Sequence, residues 1–340
     1  MPQEKEISIF QSASNALEIG SMINTSEKPG FILCPFTAVS SVKPYFIQAD
    51  AHIKMSPEDF YNATWTGTQI WDLKDLSTSN NYFKTEEEYC KDIASAVGAI
   101  QSGKLKKVVL SRMKREGIIV NSPLQIFYKL CIKYPAAFIS LVYIPGNILW
   151  ITATPELLIS ANGDEINTVS LAGTKSVDSQ DGWGVKEKIE QQVVTDYIHE
   201  ILKKYCSNIT VSVPTEIIAG NIKHLKTSFS ATLNTSLGNL VSALHPTPAV
   251  CGIPLNTAKE FIQQTECYDR KYYAGFLGPC NIDGKTNLFV NLRCAELYSN
   301  GAKLYIGGGI TKDSIPEKEW EETELKSKTL LFAFWENEAQ

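Results

Sequence analysis

Histidine is scarce in this sequence, and the motifs that pair histidine or cysteine for metal binding are missing. Only four histidines occur among 340 residues, and no two of the eight cysteines are spaced as CxxC. There is also no HExxH and no GxSxG segment, so zinc hydrolysis and serine-hydrolase chemistry have no support. In a chain of this size, the scattered cysteines are expected to be reduced and buried.

Long apolar runs and an excess of basic residues are missing too. No run of about 18 apolar residues could span a membrane, and the first ten residues have no apolar signal-peptide region. The net charge of −5 argues against a nucleic-acid-binding face, although a few local lysines and arginines can still hold a small anion. We therefore expect a cytoplasmic protein that neither spans a membrane nor binds nucleic acid.

Helix and strand patterns alternate irregularly, with no linker or repeat between them. Helices are predicted at 86–101, 122–134, 185–205, 235–244, 256–266 and 316–335. Strands are predicted at 107–110, 136–144, 148–152, 156–160, 165–171, 209–213, 224–230, 272–280, 286–298 and 302–306. The pattern favours a single domain of residues 1–340, with an α+β fold of large, mostly antiparallel sheets flanked by helices.

Two of these predictions carry structural detail. In the longest predicted helix, 185–205, the apolar face is predicted to consist of Ile189, Val193, Ile198, Ile201 and Leu202. Strands 272–280 and 286–298 are predicted to pair through a turn at Asp283-Gly284, a dipeptide typical of hairpins.

Lys107 and Glu156 are the candidate catalytic residues. Lys107 lies in the segment KLKKVVLSR, and Glu156 lies in TPELLIS. A lysine that accepts a proton and a carboxyl group that donates one form a general base and a general acid. Such a pair can add water at one carbon of a substrate and expel hydroxide from another.

Four glutamates are candidate metal ligands. Glu187 and Glu190 are three residues apart on one predicted helix, and Glu319 and Glu322 repeat this spacing on the last one. If the two helices meet across a cavity, these carboxylates would form an all-oxygen site of the kind that Mg²⁺ prefers. The same pattern also occurs on helix faces that are simply exposed to water.

Other residues admit two interpretations each. Gly307-Gly308-Gly309 follows a strand and matches neither the Walker A nor the GxGxxG pattern. These glycines are therefore either a cradle for an anion or a tight turn. Arg293 among apolar neighbours binds either a substrate carboxylate or a structural partner. Lys326, four residues after Glu322, is either a site residue or half of a surface ion pair. His245, followed by PTPA, is either structural or catalytic.

Taken together, nine segments resemble the chorismate-utilising enzymes. They are KKVVLSR (106–112), TPELLIS (154–160), LAGTKS (171–176), KEKIEQQVV (186–194), LHPTPAVCGIP (244–254), YDRKYYAGFLG (268–278), NLRCAEL (291–297), LYIGGGIT (304–311) and EKEWEETELKSK (317–328). The resemblance covers the core, residues 86–335, whereas residues 1–85 are less similar. It implies the fold of anthranilate synthase component I.

The resemblance also implies a role for each candidate residue, with chorismate as the substrate and Mg²⁺ as the cofactor. Lys107 would be the general base and Glu156 the general acid. The residues implied to hold Mg²⁺ are Glu190, Glu322, Glu187 and Glu319. The residues implied to bind chorismate are Gly173, Thr174, His245, Tyr273, Arg293, Gly307 and Lys326. One departure is Gln191, which stands where relatives usually carry histidine after the metal-binding glutamate.

Lysine at position 107 is typical of the members that add water, since anthranilate synthases usually carry glutamine there. The expected activity is therefore that of an isochorismate synthase, serving menaquinone, siderophore or salicylate synthesis, with no obligatory protein partner. A salicylate synthase, which also eliminates pyruvate, is the alternative enzyme. A chorismate-binding protein without catalysis is the alternative from another class.

Overall fold

The protein has an α+β fold of antiparallel sheets flanked by helices, as the sequence predicts. The structure, a computed structural model, describes residues 7–11, 17–18, 28–37, 40–63, 71–76, 82–117, 122–179, 181–219 and 222–335. The helices are α1 (Pro57–Asn62), α2 (Glu86–Gln101), α3 (Pro123–Lys133), α4 (Val185–Tyr205), α5 (Leu237–Leu244), α6 (Leu255–Thr265) and α7 (Pro316–Trp335).

The strands belong to two large sheets and one small one. They are β1 (Ile7–Gln11), β2 (Leu17–Glu18), β3 (Gly30–Cys34), β4 (Tyr45–Gln48), β5 (Ala51–Met55), β6 (Lys107–Glu116), β7 (Phe138–Ile144), β8 (Ile148–Thr154), β9 (Leu157–Asn162), β10 (Glu165–Ser176), β11 (Cys206–Val211), β12 (Thr215–Ala219), β13 (Ile222–Leu233), β14 (Gly252–Ile253), β15 (Phe276–Cys280), β16 (Lys285–Val290), β17 (Cys294–Tyr298) and β18 (Gly301–Ile310). The ten-stranded sheet has the order β11-β13-β10-β9-β16-β15-β3-β4-β2, with β12 on β13; the six-stranded sheet has the order β14-β6-β18-β17-β8-β7; β1 pairs with β5.

The main core lies between the two large sheets. Phe276 and Leu288 of the ten-stranded sheet belong to the same buried cluster as Leu110 and Trp150 of the six-stranded sheet. The six-stranded sheet is buried on its other face as well, where α3 and α7 cover it with a second cluster that includes Ile151. Burial on both faces explains why β8 is buried at every position.

Helix α4 has the predicted bounds, but its predicted apolar face is partly wrong. Its buried stripe on the ten-stranded sheet runs through Gln191, Val194, Ile198 and Leu202, while Ile189 is 53% exposed. Because successive residues rotate by about 100° around a helix, a stripe that passes through Gln191 turns Ile189 outward. A polar residue therefore starts the buried face, and Glu187 and Glu190 precede it in the first turns of the helix.

Two strand predictions near the C-terminus need correction. The predicted strand 286–298 is two strands, because the chain leaves the ten-stranded sheet after β16 and enters the six-stranded sheet at β17. Arg293 lies in the crossing segment with a φ of +48°. The glycines 307–309 are not a turn: they continue β18 and pair with β6 from Gly307↔Ser111 to Gly309↔Val109.

No helix in the described ranges is both long enough and apolar enough for a membrane crossing. The cysteines of these ranges are free thiols, and most are buried; Cys267 is exposed and Cys90 is partly so.

Candidate active site

A cavity lies between the two large sheets, the N-terminal end of α4 and the middle of α7. It encloses about 1010 Å³ of empty space, including open solvent at its mouth. Ten of the predicted site residues line it: Lys107, Glu156, Gly173, Glu187, Glu190, Tyr273, Arg293, Gly307, Glu322 and Lys326. The structure thus brings together residues that are up to about 220 positions apart in the sequence.

Lys107 begins β6 and is almost fully buried, at 2% exposure. Its Nζ donates a hydrogen bond to Glu190 Oε1 over 2.8 Å, which joins β6 to α4 across the cavity wall. Gly309 makes this ion pair possible, because a Cβ there would lie 2.5 Å from Glu190 Oε1 and 3.0 Å from Lys107 Cε. The glycine in β18 is therefore required by close packing rather than by a turn.

Glu156 lies between β8 and β9 and is buried, at 6% exposure. Its backbone is held on both sides, since its N–H donates to Thr154 Oγ1 and its carbonyl oxygen accepts from the Val290 N–H. Burial raises the pKa of its carboxyl group from 4.5 to about 7, and the positive charges of Lys107, Arg293 and Lys326 oppose this rise only in part. A large share of Glu156 is thus protonated at neutral pH and can donate a proton.

The four candidate metal ligands lie on α4 and α7. Glu190, Glu319 and Glu322 approach the glycines of β18, whereas Glu187 lies beside Gly173. A Cβ on Gly308 would lie 3.4 Å from Glu319 Oε2 and 3.6 Å from Glu322 Oε1, so both carboxylates approach the same strand. Among the described residues, no group of three or more His, Cys, Asp or Glu side chains is close enough to hold a metal ion. Glu190 and Glu322 instead each contact a lysine ammonium group, that of Lys107 and that of Lys326. The donor set consists only of oxygens and fits a hard cation chemically.

Lys326 and Arg293 supply positive charge to the cavity. Lys326 Nζ lies 2.6 Å from Glu322 Oε1 and donates to the Gly307 carbonyl oxygen over 2.9 Å. It is therefore both half of an i,i+4 ion pair and a cavity residue. Arg293 NH1 donates to Thr329 Oγ1 over 3.1 Å, and burial lowers its pKa, although Glu322 counteracts this effect. A left-handed conformation costs a non-glycine residue on the order of 1 kcal/mol, and such strain is often found at functional sites.

Of the other three predicted residues, Glu319 and His245 are not among the described residues that line the cavity, and Thr174 is only partly described. The Nε2 of His245 lies 3.1 Å from the Phe36 carbonyl oxygen, and its ring packs on Phe276. These contacts favour the structural interpretation, and the predicted role of His245 in binding the substrate stays a prediction. The backbone of Thr174 pairs with His224 in β13, but its side chain lies outside the described part of the chain.

His224 is a cavity residue that the sequence analysis missed. It is buried, and its Nδ1 lies 2.9 Å from the carbonyl oxygen of Gly173, whose φ is +69°. Burial lowers the pKa of His224 to about 3, with Arg293 and Lys326 acting in the same direction, so the ring is neutral. Its place at the start of the predicted strand 224–230 is the available signal in the sequence, but that place alone does not indicate a cavity residue.

Comparisons with known proteins agree with this geometry. A family model described as chorismate binding enzyme matches residues 62–334. The vibriobactin-specific isochorismate synthase of Vibrio cholerae serotype O1 is 35% identical over 197 residues, which are 54% of this chain and 50% of that protein. Isochorismate synthase EntC of Escherichia coli (strain K12) is 31% identical over 258 residues, 71% of this chain and 66% of that protein. The chain thus matches about half to two thirds of the length of these relatives.

Solved structures extend the similarity over nearly the whole chain. A crystal structure of DhbC from Bacillus anthracis has a TM-score of 0.80 and 26% identity, and covers 97% of this chain and 93% of that one. MenF, the menaquinone-specific isochorismate synthase from Escherichia coli, has a TM-score of 0.74 at 19% identity, covering 98% of this chain and 95% of that one, and shares the fold. Because the family model covers most of the sequence and these folds match throughout, the chain belongs to the chorismate binding enzymes.

Proposed function

We propose that this protein converts chorismate to isochorismate. The observation that carries the proposal is that Lys107 and Glu156, both buried, line one cavity in which the Glu156 carboxyl group has a pKa of about 7. A basic amine and a protonated acid around one small-molecule cavity suit a reaction that takes a proton from water and gives one to a leaving hydroxyl group. The names of the relatives support the same activity.

In the proposed reaction, Lys107 acts as the neutral amine and takes a proton from a water molecule as the water oxygen forms a bond to C2 of chorismate. The ring double bonds shift, and the bond between C4 and its hydroxyl group breaks. Glu156 donates its proton to the departing oxygen, which leaves as water. One hydroxyl group replaces another, so no oxidant and no second substrate are needed.

The remaining charges of the cavity suit the two carboxylates of chorismate. We propose that Arg293, Lys326 and the backbone at Gly307 hold the enolpyruvyl carboxylate, since a guanidinium group and an ammonium group form strong hydrogen bonds to such anions. His224 remains neutral beside them, because its pKa is lowered to about 3. Tyr273 and Gly173 complete the walls.

We extend the proposal to a Mg²⁺ ion held by Glu190 and Glu322, with Glu187 and Glu319 binding directly or through water. The all-oxygen donor set and the close approach of Glu319 and Glu322 to Gly308 support this choice. When bound, Mg²⁺ would neutralise the ring carboxylate of chorismate.

Product analysis after incubation with chorismate tests the activity. We expect isochorismate, no pyruvate and no salicylate, with turnover lost when a chelator removes divalent cations. Pyruvate and salicylate would indicate the alternative enzyme, and unchanged chorismate that is bound would indicate a binding protein. Lys107→Ala and Glu156→Gln should each abolish turnover without unfolding the protein, and full activity in either variant would refute its assigned role.

A further inference from the structure

Helix α7 carries Glu322 and Lys326 into the cavity, and the buried face of its first half is polar. The buried residues of α7 are Glu319, Thr323, Ser327, Leu330 and Ala333. Only the last two belong to the apolar cluster beneath the six-stranded sheet. From the first half of α7, Trp320 packs against the main core, but the buried stripe there consists of Glu319 and Thr323. Apolar burial is concentrated near the C-terminal end of the helix, so polar contacts matter for placing the first half.

Arg112 of β6 binds this polar half. The Arg112 Nε donates to Thr323 Oγ1 over 2.9 Å, and its guanidinium carbon lies 3.7 Å from the centroid of the Trp320 ring. Its NH2 also forms an ion pair with Glu324. These three contacts involve residues 320–324 of α7, which lie between Glu319 and Lys326 and include Glu322.

The chemistry of these contacts requires arginine. Arg112 is 2% exposed, and a buried charge is tolerated only when it is paired and hydrogen-bonded. A planar guanidinium group can stack on an indole and donate in two directions at once, which a lysine ammonium group cannot do in the same geometry. Thr323 is fully buried and its hydroxyl donates to the Trp320 carbonyl oxygen over 2.7 Å, so a lone pair remains for Arg112.

We propose that Arg112 is a positioning residue, which sets the distance between the candidate base on β6 and the substrate-binding and metal-binding groups on α7. Lys107 begins the strand on which Arg112 lies. Glu322 lies within the turn of α7 that Arg112 contacts, and Lys326 follows that turn. The kinetic part of this inference rests on the proposed function. Arg112 itself does not line the cavity, and it acts through the placement of α7.

An isosteric pair at Thr323 and a charge-conserving change at Arg112 test the proposal. Thr323→Val removes the acceptor for Arg112 Nε and keeps the shape, while Thr323→Ser keeps the hydroxyl group. We expect Thr323→Val and Arg112→Lys to lower kcat/KM about tenfold and to raise KM for chorismate about threefold; a misplacement of 1 Å can cost roughly a hundredfold. Thr323→Ser should stay within about threefold of the original protein.

Lys114→Met is the matched control, since Lys114 Nζ also contacts Glu324, over 2.6 Å, but from a partly exposed position. It should change kcat/KM less than about twofold. A purely structural role for Arg112 would lower the folded, active fraction and leave KM unchanged, and that result overturns the proposal. Normal kinetics in both Thr323→Val and Arg112→Lys would overturn it as well.

A binding measurement separates this inference from the proposed function. The rise in melting temperature on addition of chorismate does not require turnover, and it should be at least halved in Thr323→Val but not in Lys114→Met. If the original protein binds chorismate without forming isochorismate, the proposed function fails, while this comparison still decides the role of Arg112. An equal rise in all variants contradicts the proposal.

Discussion

The raised pKa of Glu156 makes a quantitative prediction about stability. Its carboxyl group has a pKa of about 7 in the folded protein, against 4.5 without burial. The folded state therefore holds this proton more tightly than the unfolded state, and stability falls as the pH rises from about 4.5 to about 7. At about 1.4 kcal/mol for each pH unit, the interval corresponds to roughly 3 kcal/mol.

Glu156→Gln removes this dependence, because glutamine stays neutral at every pH. Relative to the original protein, the variant should gain unfolding free energy as the pH rises from about 4 to about 8.5. We expect this relative gain to reach up to roughly 3 kcal/mol. The assay is urea unfolding at both pH values, supported by melting temperatures. Comparing the difference across pH cancels all other titrating groups, which are common to both proteins.

The control is Glu165→Gln, at an exposed position of β10. Its effect on stability should change by no more than a few tenths of a kcal/mol over the same pH range, as is usual for surface substitutions. If Glu156→Gln behaves like this control, the carboxyl group has an ordinary pKa, and the reasoning that makes it a protonated acid at neutral pH is wrong.

Three further predictions concern turnover. Because Glu156 must be protonated to act, kcat should fall above about pH 7, approaching tenfold per pH unit; a flat profile up to pH 9 would contradict the assignment. Gly309→Ala places a Cβ 2.5 Å from Glu190 Oε1 and should reduce kcat/KM by roughly a hundredfold. Gly308→Ala is the control: its Cβ makes contacts of 3.4 Å or longer, so its kcat/KM should fall less. Equal kcat/KM values in the two variants would refute the packing argument. Lys326→Met should raise KM for chorismate at least about tenfold in initial-rate assays, and an unchanged KM would remove Lys326 from substrate binding.

Features whose signal lies within one short stretch of the sequence, such as an apolar pattern or a motif, could be predicted. The bounds of α2 and α4 follow from helical spacing and agree with the structure. Lys107 and Glu156, the candidate base and acid of two short segments, both lie at the same cavity. Local patterns succeed here because helix formation and strand burial depend mostly on neighbouring residues.

Features that depend on contacts between distant segments could not be predicted. The glycines 307–309 resemble a turn in the sequence, and only the positions of Lys107 and Glu190 show why β18 needs them. The crossing at Arg293 is equally hidden, since a strand that changes sheets keeps its apolar pattern on both sides. Likewise, nothing local distinguishes His224, which faces the cavity, from His245, which does not.

The measurement that tests the central claim most directly is the reaction of chorismate in water labelled with oxygen-18, followed by mass spectrometry of the product. If Lys107 activates solvent water for attack at C2 while Glu156 assists loss of the C4 hydroxyl group, the isochorismate formed carries one labelled oxygen. Isochorismate without the label, or no isochorismate at all, would contradict the account.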